Sequence, residues 1–153
     1  MIKRYSMVAL CLLLSYSAKA QVQWLTFEKL DSALKDNPKP ILLDFYTDWC
    51  TYCKKMDREV FTNDTVIEKL NQSFYAVMFN AESDRKVNFD GTILGKRPNA
   101  RFHELALLLA ARNKQFAPPV LIFLDKEFNI KERYMQYISR KQLIKRLEKY
   151  SLE

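Results

Sequence analysis

The sequence predicts an α/β fold in which helices cover both faces of a mixed central sheet. The main observation is an alternation of short apolar runs with segments of helical periodicity. The predicted strands cover 41–46, 74–79, 119–124 and 130–137, and the predicted helices cover 27–35, 50–59, 63–70, 102–111 and 140–152. The chain has 153 residues, of which 48% are hydrophobic, so it is long enough for one domain with its own core and short for two.

The first half of the chain contains a predicted parallel crossover. Thr26 can cap the first helix, in which Leu30 faces inward, and Asn37-Pro38 ends that helix. The apolar run 41–46 is continuous, which is typical of a strand at the centre of a sheet. Because helical segments separate this strand from the next one, the two strands are expected to run parallel.

The second half of the chain predicts antiparallel pairing. The apolar run 119–124 is followed by the turn residues Asp125-Lys126-Glu127 and then by the run 130–137. Two strands joined by so short a turn are expected to run antiparallel. In the closing helix, 140–152, basic residues interleave with leucine and isoleucine at helical spacing, so we interpret its charges as solvent-facing.

The first twenty residues have the pattern of a cleavable secretory signal peptide. Basic residues near the start precede the apolar run 7–14, and the small-x-small sequence Ala18-Lys19-Ala20 precedes Gln21. An uncleaved membrane anchor is the alternative, but the apolar run is shorter than the roughly 20 residues that span a bilayer. We therefore expect a mature domain over 21–153 that is periplasmic or secreted, with no stable membrane insertion.

The composition argues against nucleotide and nucleic-acid binding. The formal charge of +7 falls to +4 without the leader, whose three charged residues are all basic. A mildly basic surface of this kind is not the footprint of a nucleic-acid-binding protein. The chain has only two glycines, which leaves no glycine-rich phosphate loop, and no organic cofactor is expected.

Cys50 and Cys53 carry the clearest chemical signal. They are separated by two residues and lie where the strand 41–46 passes into a predicted helix. The unpaired N–H groups at a helix N-terminus stabilise a thiolate, which is the form that attacks disulfides. Cys11 would leave with the leader, so the other two thiols pair with each other or not at all. This pattern predicts a redox couple.

A static disulfide and half of a zinc site are the alternatives for this pair. A structural disulfide gains little from so short a loop, because the stabilisation grows with loop length. Zinc takes about four ligands, and outside the leader the sequence offers two thiols and the single His103. No metal is therefore expected.

The sequence around these cysteines resembles the active-site segment of thioredoxin. The likeness rests on Leu42 to Lys54, which includes Trp49-Cys50-Thr51-Tyr52-Cys53, and on Pro119 to Asp125, which resembles the strand that follows the cis-proline of that family. The two segments occur in the family's order, and the likeness extends over most of 22–152. Together with the export signal, it makes the chain most similar to periplasmic thiol:disulfide interchange proteins, including the C-terminal domain of the transmembrane electron carrier. The resemblance implies the thioredoxin fold.

The resemblance assigns roles to the two cysteines and to a carboxylate. Cys50 matches the exposed nucleophile, and Cys53 matches the buried resolving thiol, which attacks the mixed disulfide and releases the substrate. Asp44 matches the buried carboxylate beneath them, and burial would raise its pKa, as suits a general base for Cys53. The alternative is an ion pair between Asp44 and Lys54 or Lys55.

Three further residues are expected to bind substrate. Trp49 matches the aromatic residue beside the disulfide, and simple core packing is the alternative. Pro119 matches the cis-proline, and a cis bond would expose the backbone of Pro118 to an incoming peptide. An ordinary trans proline at the start of a strand is the alternative for Pro119.

The sequence also departs from the family. Thr51-Tyr52 lacks the proline of thioredoxin and the histidine of strongly oxidising relatives, which leaves the redox potential open. Met78 stands where thioredoxin has a lysine near the buried carboxylate, so Asp44 is expected to titrate differently. The segment 82–117 is longer than the family's connection and forms an insertion before the cis-proline strand, with a hairpin turn expected at Asp90-Gly91. This insertion could shape a substrate groove or add packing to the core.

Taken together, the motifs predict an exported thiol-disulfide oxidoreductase that reduces or exchanges protein disulfides through Cys50 and Cys53. Its partners would be disulfide-containing proteins and an upstream thiol-disulfide electron donor. The alternatives are a disulfide oxidase or isomerase, and a non-catalytic binding module or chaperone that uses the same surface. The preference for a reductase rests on the resemblance to the family.

Overall fold

The computed structural model describes residues 20–110 and 115–151, in which strands and helices alternate as the sequence predicts. The strands are β1 (Trp24–Leu25), β2 (Ile41–Tyr46), β3 (Tyr75–Asn80), β4 (Val87–Phe89), β5 (Thr92–Leu94), β6 (Val120–Leu124) and β7 (Ile130–Tyr134). The helices are α1 (Phe27–Asp36), α2 (Thr51–Glu59), α3 (Asp64–Ser73), α4 (Glu104–Ala110) and α5 (Arg140–Tyr150). Residues 1–19 of the predicted signal peptide lie outside the described residues.

The main sheet of the described chain has five strands in the order β1-β3-β2-β6-β7, which places β2 at its centre. β3 runs parallel to both β1 and β2, and β6 runs antiparallel to β2 and β7. The mixed sheet, the parallel crossover and the antiparallel late strands are therefore confirmed. Side chains on both faces of β2 are buried, which explains why its sequence is apolar without alternation.

Two strand predictions differ from the structure. β1 pairs with Ala76 and Val77 of β3 but has two residues, too few to show any periodicity in the sequence. β7 ends at Tyr134, three residues before the predicted end. Tyr134 pairs with Leu121, one residue from the start of β6 at Val120, so β6 offers no partner to the predicted strand residues after Met135.

Side-chain caps fix where the helices begin. Thr26 accepts a hydrogen bond from the Lys29 amide at the start of α1, and Asn63 does the same for the Val66 amide at the start of α3. Ser139 forms a capping box with Gln142 at the start of α5. The remaining N-cap with a side-chain acceptor is Cys50, one of the two predicted redox cysteines, at the start of α2.

The sheet separates two apolar clusters. One cluster packs α1, α4 and the insertion against one face, and it includes Phe27, Leu30, Phe45, Phe89 and Leu105. The other packs α2, α3 and α5 against the opposite face, and it includes Leu42, Met56, Leu70, Phe123 and Leu147. Side chains alternate along a strand, so Asp44 shares the face of Leu42, beneath α2. The predicted helices on both faces of the sheet are confirmed.

Part of the insertion belongs to the core. β4 and β5 pair as a hairpin through Asp90 and Gly91, both of which have positive φ, at 48° and 74°. Positive φ at both central residues is the requirement of the favoured two-residue hairpin turn. Val87 and Phe89 on β4 are buried in the cluster with α1. Within residues 20–110 and 115–151, no helix combines the length and the apolar character needed to cross a membrane.

Candidate active site

Cys50 and Cys53 form a disulfide at the start of α2, with 2.07 Å between the sulfurs and 5.3 Å between the Cα atoms. The Cys50 Sγ accepts a hydrogen bond of 3.0 Å from the Cys53 backbone N–H, so the sulfur itself caps the helix. This arrangement aims an otherwise unpaired helix N–H at Cys50. The same N–H would stabilise a Cys50 thiolate after reduction.

Exposure does not distinguish the two cysteines in this oxidised state. Both residues are 4% exposed, whereas the resemblance predicts an exposed Cys50 and a buried Cys53. The bond joins the two sulfurs, and both cysteines are buried. What separates the cysteines is position, because Cys50 is the N-cap of α2 and Cys53 lies inside its first turn.

Asp44 is buried in β2 at 3% exposure, and its Oδ1 has no hydrogen-bond partner among the described residues. Burial, and secondarily the charge of Asp57, raise the pKa of Asp44 to about 8. No ion pair joins Asp44 to Lys54 or Lys55 in the described part of the chain. Lys55 instead approaches Glu59, at 3.9 Å. The alternative ion pair of Asp44 with these lysines is therefore not formed among the described residues, and its Oδ1 is buried there without a hydrogen bond.

Asp57 is a residue of this site that the sequence analysis missed. It lies on α2, four residues after Cys53 and hence on the same side of the helix. Loss of solvation raises the pKa of Asp57, and the neighbouring Arg58 partly opposes that rise. The spacing from Cys53 could have pointed to Asp57, but only the packing of α2 on β2 brings its charge close to Asp44.

Met78 occupies the position beside Asp44 on the neighbouring strand. The two residues are register partners in the parallel pairing of β2 with β3. Met78 and Asp57 also line a cavity of about 780 Å³, together with Val22, Trp24 and Phe61 among others. A neutral side chain therefore stands where the resemblance places a lysine, so no cation from β3 lowers the pKa of Asp44.

Trp49, immediately before Cys50, is half-exposed and tied to the insertion. Its side chain is 50% exposed, and its Nε1–H donates a hydrogen bond of 3.0 Å to Oε2 of Glu82. The guanidinium carbon of Arg101 lies 4.7 Å from the centre of the indole ring. Simple core packing does not describe Trp49, because half of its surface faces solvent beside the disulfide.

The peptide bond between Pro118 and Pro119 is cis. Pro119 is buried and Pro118 is half-buried, directly before β6. Val120 at the start of β6 pairs with Phe45 near the end of β2, five residues before Cys50. The antiparallel register thus brings the cis bond to the same edge of the sheet as the disulfide. This is the predicted arrangement of Pro119.

Tyr52 and Tyr137 form a second aromatic group at the site. Tyr52, between the two cysteines, is 60% exposed, and its ring lies 6.2 Å from that of Tyr137. The Tyr137 hydroxyl donates a hydrogen bond of 3.2 Å to Glu59, and the Lys55 ammonium lies 4.8 Å from the Tyr137 ring. Exposed aromatic rings therefore stand both before and between the cysteines.

His103 is held within the fold away from the thiols. Its Nε2 lies 2.9 Å from the Arg85 carbonyl oxygen, and its Nδ1 accepts a hydrogen bond of 3.1 Å from the Leu105 amide. These two bonds correspond to the neutral ring with its proton on Nε2. Burial lowers the pKa of His103, which favours that neutral form. Its ring nitrogens are thus occupied by backbone groups.

Comparisons with known proteins identify related domains. A family model described as a thioredoxin-like domain matches residues 27–151. The thiol:disulfide interchange protein DsbD of Campylobacter jejuni is 30% identical over 124 residues, which make up 80% of this chain and 18% of that protein. The chain therefore spans less than a fifth of the length of this curated relative.

Solved structures share the architecture. The reduced C-terminal domain of DsbD from Neisseria meningitidis aligns with a TM-score of 0.55 and 22% identity, covering 80% of this chain and 91% of that domain. A thioredoxin from Thermus thermophilus aligns with a TM-score of 0.62 and 16% identity, covering 84% of this chain and 86% of the other. These likenesses confirm the thioredoxin fold that the sequence predicts.

Proposed function

Because the chain belongs to the thioredoxin-like domain family, we propose that it is an exported thiol-disulfide oxidoreductase that reduces or exchanges disulfides in proteins. The observation that carries the proposal is the position of the Cys50–Cys53 disulfide, in which the Cys50 sulfur accepts a helix N-terminal N–H at 3.0 Å. A purely structural crosslink gains nothing from this contact, whereas a helix N-terminal N–H stabilises the thiolate that attacks a disulfide.

In the first step, the Cys50 thiolate attacks one sulfur of a substrate disulfide. The substrate S–S bond breaks, its second sulfur leaves as a thiolate that takes a proton from water, and a mixed disulfide joins Cys50 to the substrate. Cys53 then loses its proton to Asp44 and attacks the Cys50 sulfur. The bond from Cys50 to the substrate breaks, and the first substrate sulfur leaves as a thiolate that recovers the proton. Two electrons pass from the cysteine pair to the substrate.

Asp44 suits the proton transfer because its pKa of about 8 lies near the working pH. A carboxylate with its ordinary pKa near 4 would be too weak a base to take a proton from a thiol efficiently. Asp57 contributes indirectly, since its negative charge opposes ionisation of Asp44. We therefore assign Asp44 as the general base and Asp57 as a residue that tunes it.

The direction of the reaction is proposed from two observations. The residues between the cysteines are Thr51-Tyr52, without the histidine of strongly oxidising relatives. The curated relatives that match the chain are named thiol:disulfide interchange proteins. Reduction would leave the pair oxidised, so an upstream thiol protein is needed to return two electrons. The expected leader supports a periplasmic or secreted location.

The test uses the chain from Gln21 with Cys50→Ser and Cys53→Ser variants, assayed on a disulfide-bonded protein with dithiothreitol as the electron source. We expect Cys50→Ser to abolish the accelerated reduction of the protein disulfide. Cys53→Ser should instead accumulate a mixed disulfide on Cys50, visible as an added mass that a reductant removes. Undiminished activity in Cys50→Ser would contradict the enzyme and favour a non-catalytic binding module or chaperone.

The reduction potential decides between a reductase and its runner-up, an oxidase or isomerase. Equilibration of Cys50 and Cys53 in defined thiol buffers, followed by alkylation and mass measurement, gives the potential directly. We expect a reduction potential of about −270 mV, as for thioredoxin. A value between about −180 and −120 mV would contradict reduction as the physiological direction and favour the oxidase or isomerase.

A further inference from the structure

The insertion contacts the active site through Arg101. This residue lies between β5 and α4, and its side chain is 61% exposed. Its Nε–H donates to Oε1 of Glu82 at 2.9 Å, while the other oxygen of Glu82 accepts the indole N–H of Trp49 at 3.0 Å. One carboxylate thus joins Arg101 to Trp49. The guanidinium also lies over the indole ring, 4.7 Å from its centre.

This group of Trp49, Glu82 and Arg101 is anchored on the side of the insertion. Arg101 also lies 5.1 Å from the ring of Phe102, and Phe102 packs edge-on against Phe116 at 4.9 Å. Phe116 belongs to the buried cluster that includes Phe45 of β2. The guanidinium therefore lies between an aromatic residue fixed to the core and the indole beside Cys50.

The charges of the group reinforce this geometry. The hydrogen bonds from Arg101 and Trp49 lower the pKa of Glu82, so its carboxylate stays ionised across the physiological range. Lys96 donates to the Glu82 backbone carbonyl oxygen at 3.1 Å, which ties the same residue to the hairpin side of the insertion. Trp49 consequently has two contacts that restrict its ring, one to its N–H and one to its face.

We propose that Arg101 is a positioning residue through which the insertion holds Trp49 for the docking of protein substrates. The inference rests on the proposed function and adds a substrate class to it. Trp49 directly precedes Cys50 and is half-exposed, so the backbone and side chains of a protein disulfide bound at Cys50 would lie beside its ring. A small disulfide presents little beyond its two sulfurs. Fixing the indole therefore favours protein disulfides over small ones.

The test compares Arg101→Ala with Arg97→Ala in the chain from Gln21. Arg97 is in the same insertion, but its ion pair is with Glu104, at 2.6 Å, so it serves as a matched control. The measurement is the ratio of kcat/KM for a disulfide-bonded protein to kcat/KM for glutathione disulfide. We expect this ratio to fall about tenfold in Arg101→Ala, since small misplacements of docking groups have effects of this size. In Arg97→Ala it should change by less than about twofold.

A second measurement reads the position of Trp49 without any substrate. Trp24 is the other tryptophan of the chain, so a Trp24→Phe background makes Trp49 the sole source of indole emission. In reduced protein, Arg101→Ala should increase the quenching of this emission by acrylamide and Arg97→Ala should not. Arg101→Lys, which keeps the charge but loses the planar stack, should fall between them.

Three results would overturn the inference about Arg101. One is an unchanged substrate ratio in Arg101→Ala, and another is unchanged quenching of Trp49. The third is a further loss from Arg101→Ala in a Trp49→Ala background, where a residue acting through Trp49 has nothing left to position. If the wild-type chain reduces neither disulfide, the proposed function itself fails. An active wild type with an unchanged ratio overturns only the role of Arg101.

Discussion

At the scale of single residues, Asp44 is a carboxyl group that folding keeps protonated. Its pKa of about 8, against an ordinary value of 3.8, means that the folded chain binds a proton that the unfolded chain has released between those two pH values. The stability associated with Asp44 is therefore fully present below about pH 4 and is lost as pH rises toward 8. The buried carboxyl group destabilises the fold under the conditions in which it can act as a base.

Replacing Asp44 with asparagine should raise the free energy of unfolding. At pH 7 the gain is up to about 4 kcal/mol, because each pH unit between the ordinary pKa of 3.8 and pH 7 corresponds to about 1.4 kcal/mol. Urea unfolding at pH 5 and pH 7 checks this, and the gain should be clearly smaller at pH 5. The variant should also reduce protein disulfides more slowly. An equal gain at both pH values would contradict the raised pKa.

Asp57 supplies a second prediction at this scale. Its charge is the smaller of the two causes that raise the pKa of Asp44, so Asp57→Asn should lower the pKa of Asp44 without restoring its ordinary value. The measurement is the titration of the Asp44 carboxyl carbon by NMR. Asp64→Asn is a suitable control, because Asp64 lines the same cavity but does not contribute to the shift. An unchanged titration in Asp57→Asn would show that burial acts alone.

The residues that sequence analysis identified are those with a local signal. Cys50 and Cys53 are separated by only two residues, and Asp44 is an acidic residue within an apolar run. All three therefore stand out in the printed sequence. Glu82 and Arg101 do not stand out, since Glu82 lies 33 residues after Trp49 and Arg101 lies a further 19 residues after Glu82. No periodicity or spacing rule connects such positions. Only the fold brings them together.

At the scale of secondary-structure elements, the N-caps of the helices differ in the atom that accepts the first backbone N–H. Asn63 and Ser139 give their helices an oxygen acceptor, whereas α2 begins on the sulfur of Cys50. The first turn of α2 contains no acidic residue, so no carboxylate competes with a thiolate for the helix N–H groups. The N-terminus of α2 thus favours a thiolate at Cys50, whereas the caps of α3 and α5 stabilise their helices.

Removing the cap of α5 should affect stability alone. Ser139→Ala deletes the hydroxyl that accepts from the Gln142 amide and breaks the capping box. We expect a loss of about 1 kcal/mol in the free energy of unfolding, measured in urea, with an unchanged reduction potential for Cys50 and Cys53. Ser151→Ala, at the other end of the same helix, is the control. A shifted potential would link α5 to the active site and contradict this separation.

Element boundaries were predictable where packing and local signals agree. The predicted bounds of the strand 41–46 match those of β2, because the apolar run ends at the polar residues Thr47 and Asp48. β1 was missed, since Trp24–Leu25 is strand only through its pairing with β3. β7 is shorter than predicted because its pairing with β6 ends at Tyr134, opposite Leu121 and close to the start of β6. Pairing between distant segments, rather than local propensity, sets these ends.

At the scale of the whole molecule, the insertion is joined to the core as well as to the active site. Phe89 on β4 is buried and packs edge-on against Phe27 of α1 at 5.9 Å and Phe128 at 5.1 Å. Arg101, farther along the same insertion, reaches Trp49. The expectation of added core packing is therefore confirmed at Phe89, and the expectation of a substrate surface stays a prediction that depends on Arg101.

Phe89→Ala should destabilise the whole domain even though Phe89 lies in an insertion. We expect a loss of about 3 kcal/mol in the free energy of unfolding, because the change leaves a cavity among buried aromatic rings. Ile93→Ala is the control, since Ile93 lies on the same hairpin but is 72% exposed. Chemical denaturation with a single cooperative transition checks both. A loss below about 0.5 kcal/mol for Phe89→Ala would mean that the hairpin unfolds separately from the core.

The two hydrogen bonds of His103 have a consequence for how the insertion behaves in acid. The Leu105 amide donates to the unprotonated Nδ1, and a proton on that nitrogen would remove the acceptor. The pKa of His103 in the folded protein lies below the ordinary value of 6.5, so the stability associated with the neutral ring decreases as pH falls below 6.5, and the bond itself is lost as pH falls through the lowered pKa. This slope is opposite to that of Asp44. The exchange of the Leu105 amide hydrogen for deuterium, corrected for the intrinsic effect of pH, therefore reports how firmly α4 is attached. At a pH below that lowered pKa, the segment that carries Arg101 should loosen while the Cys50–Cys53 bond stays closed.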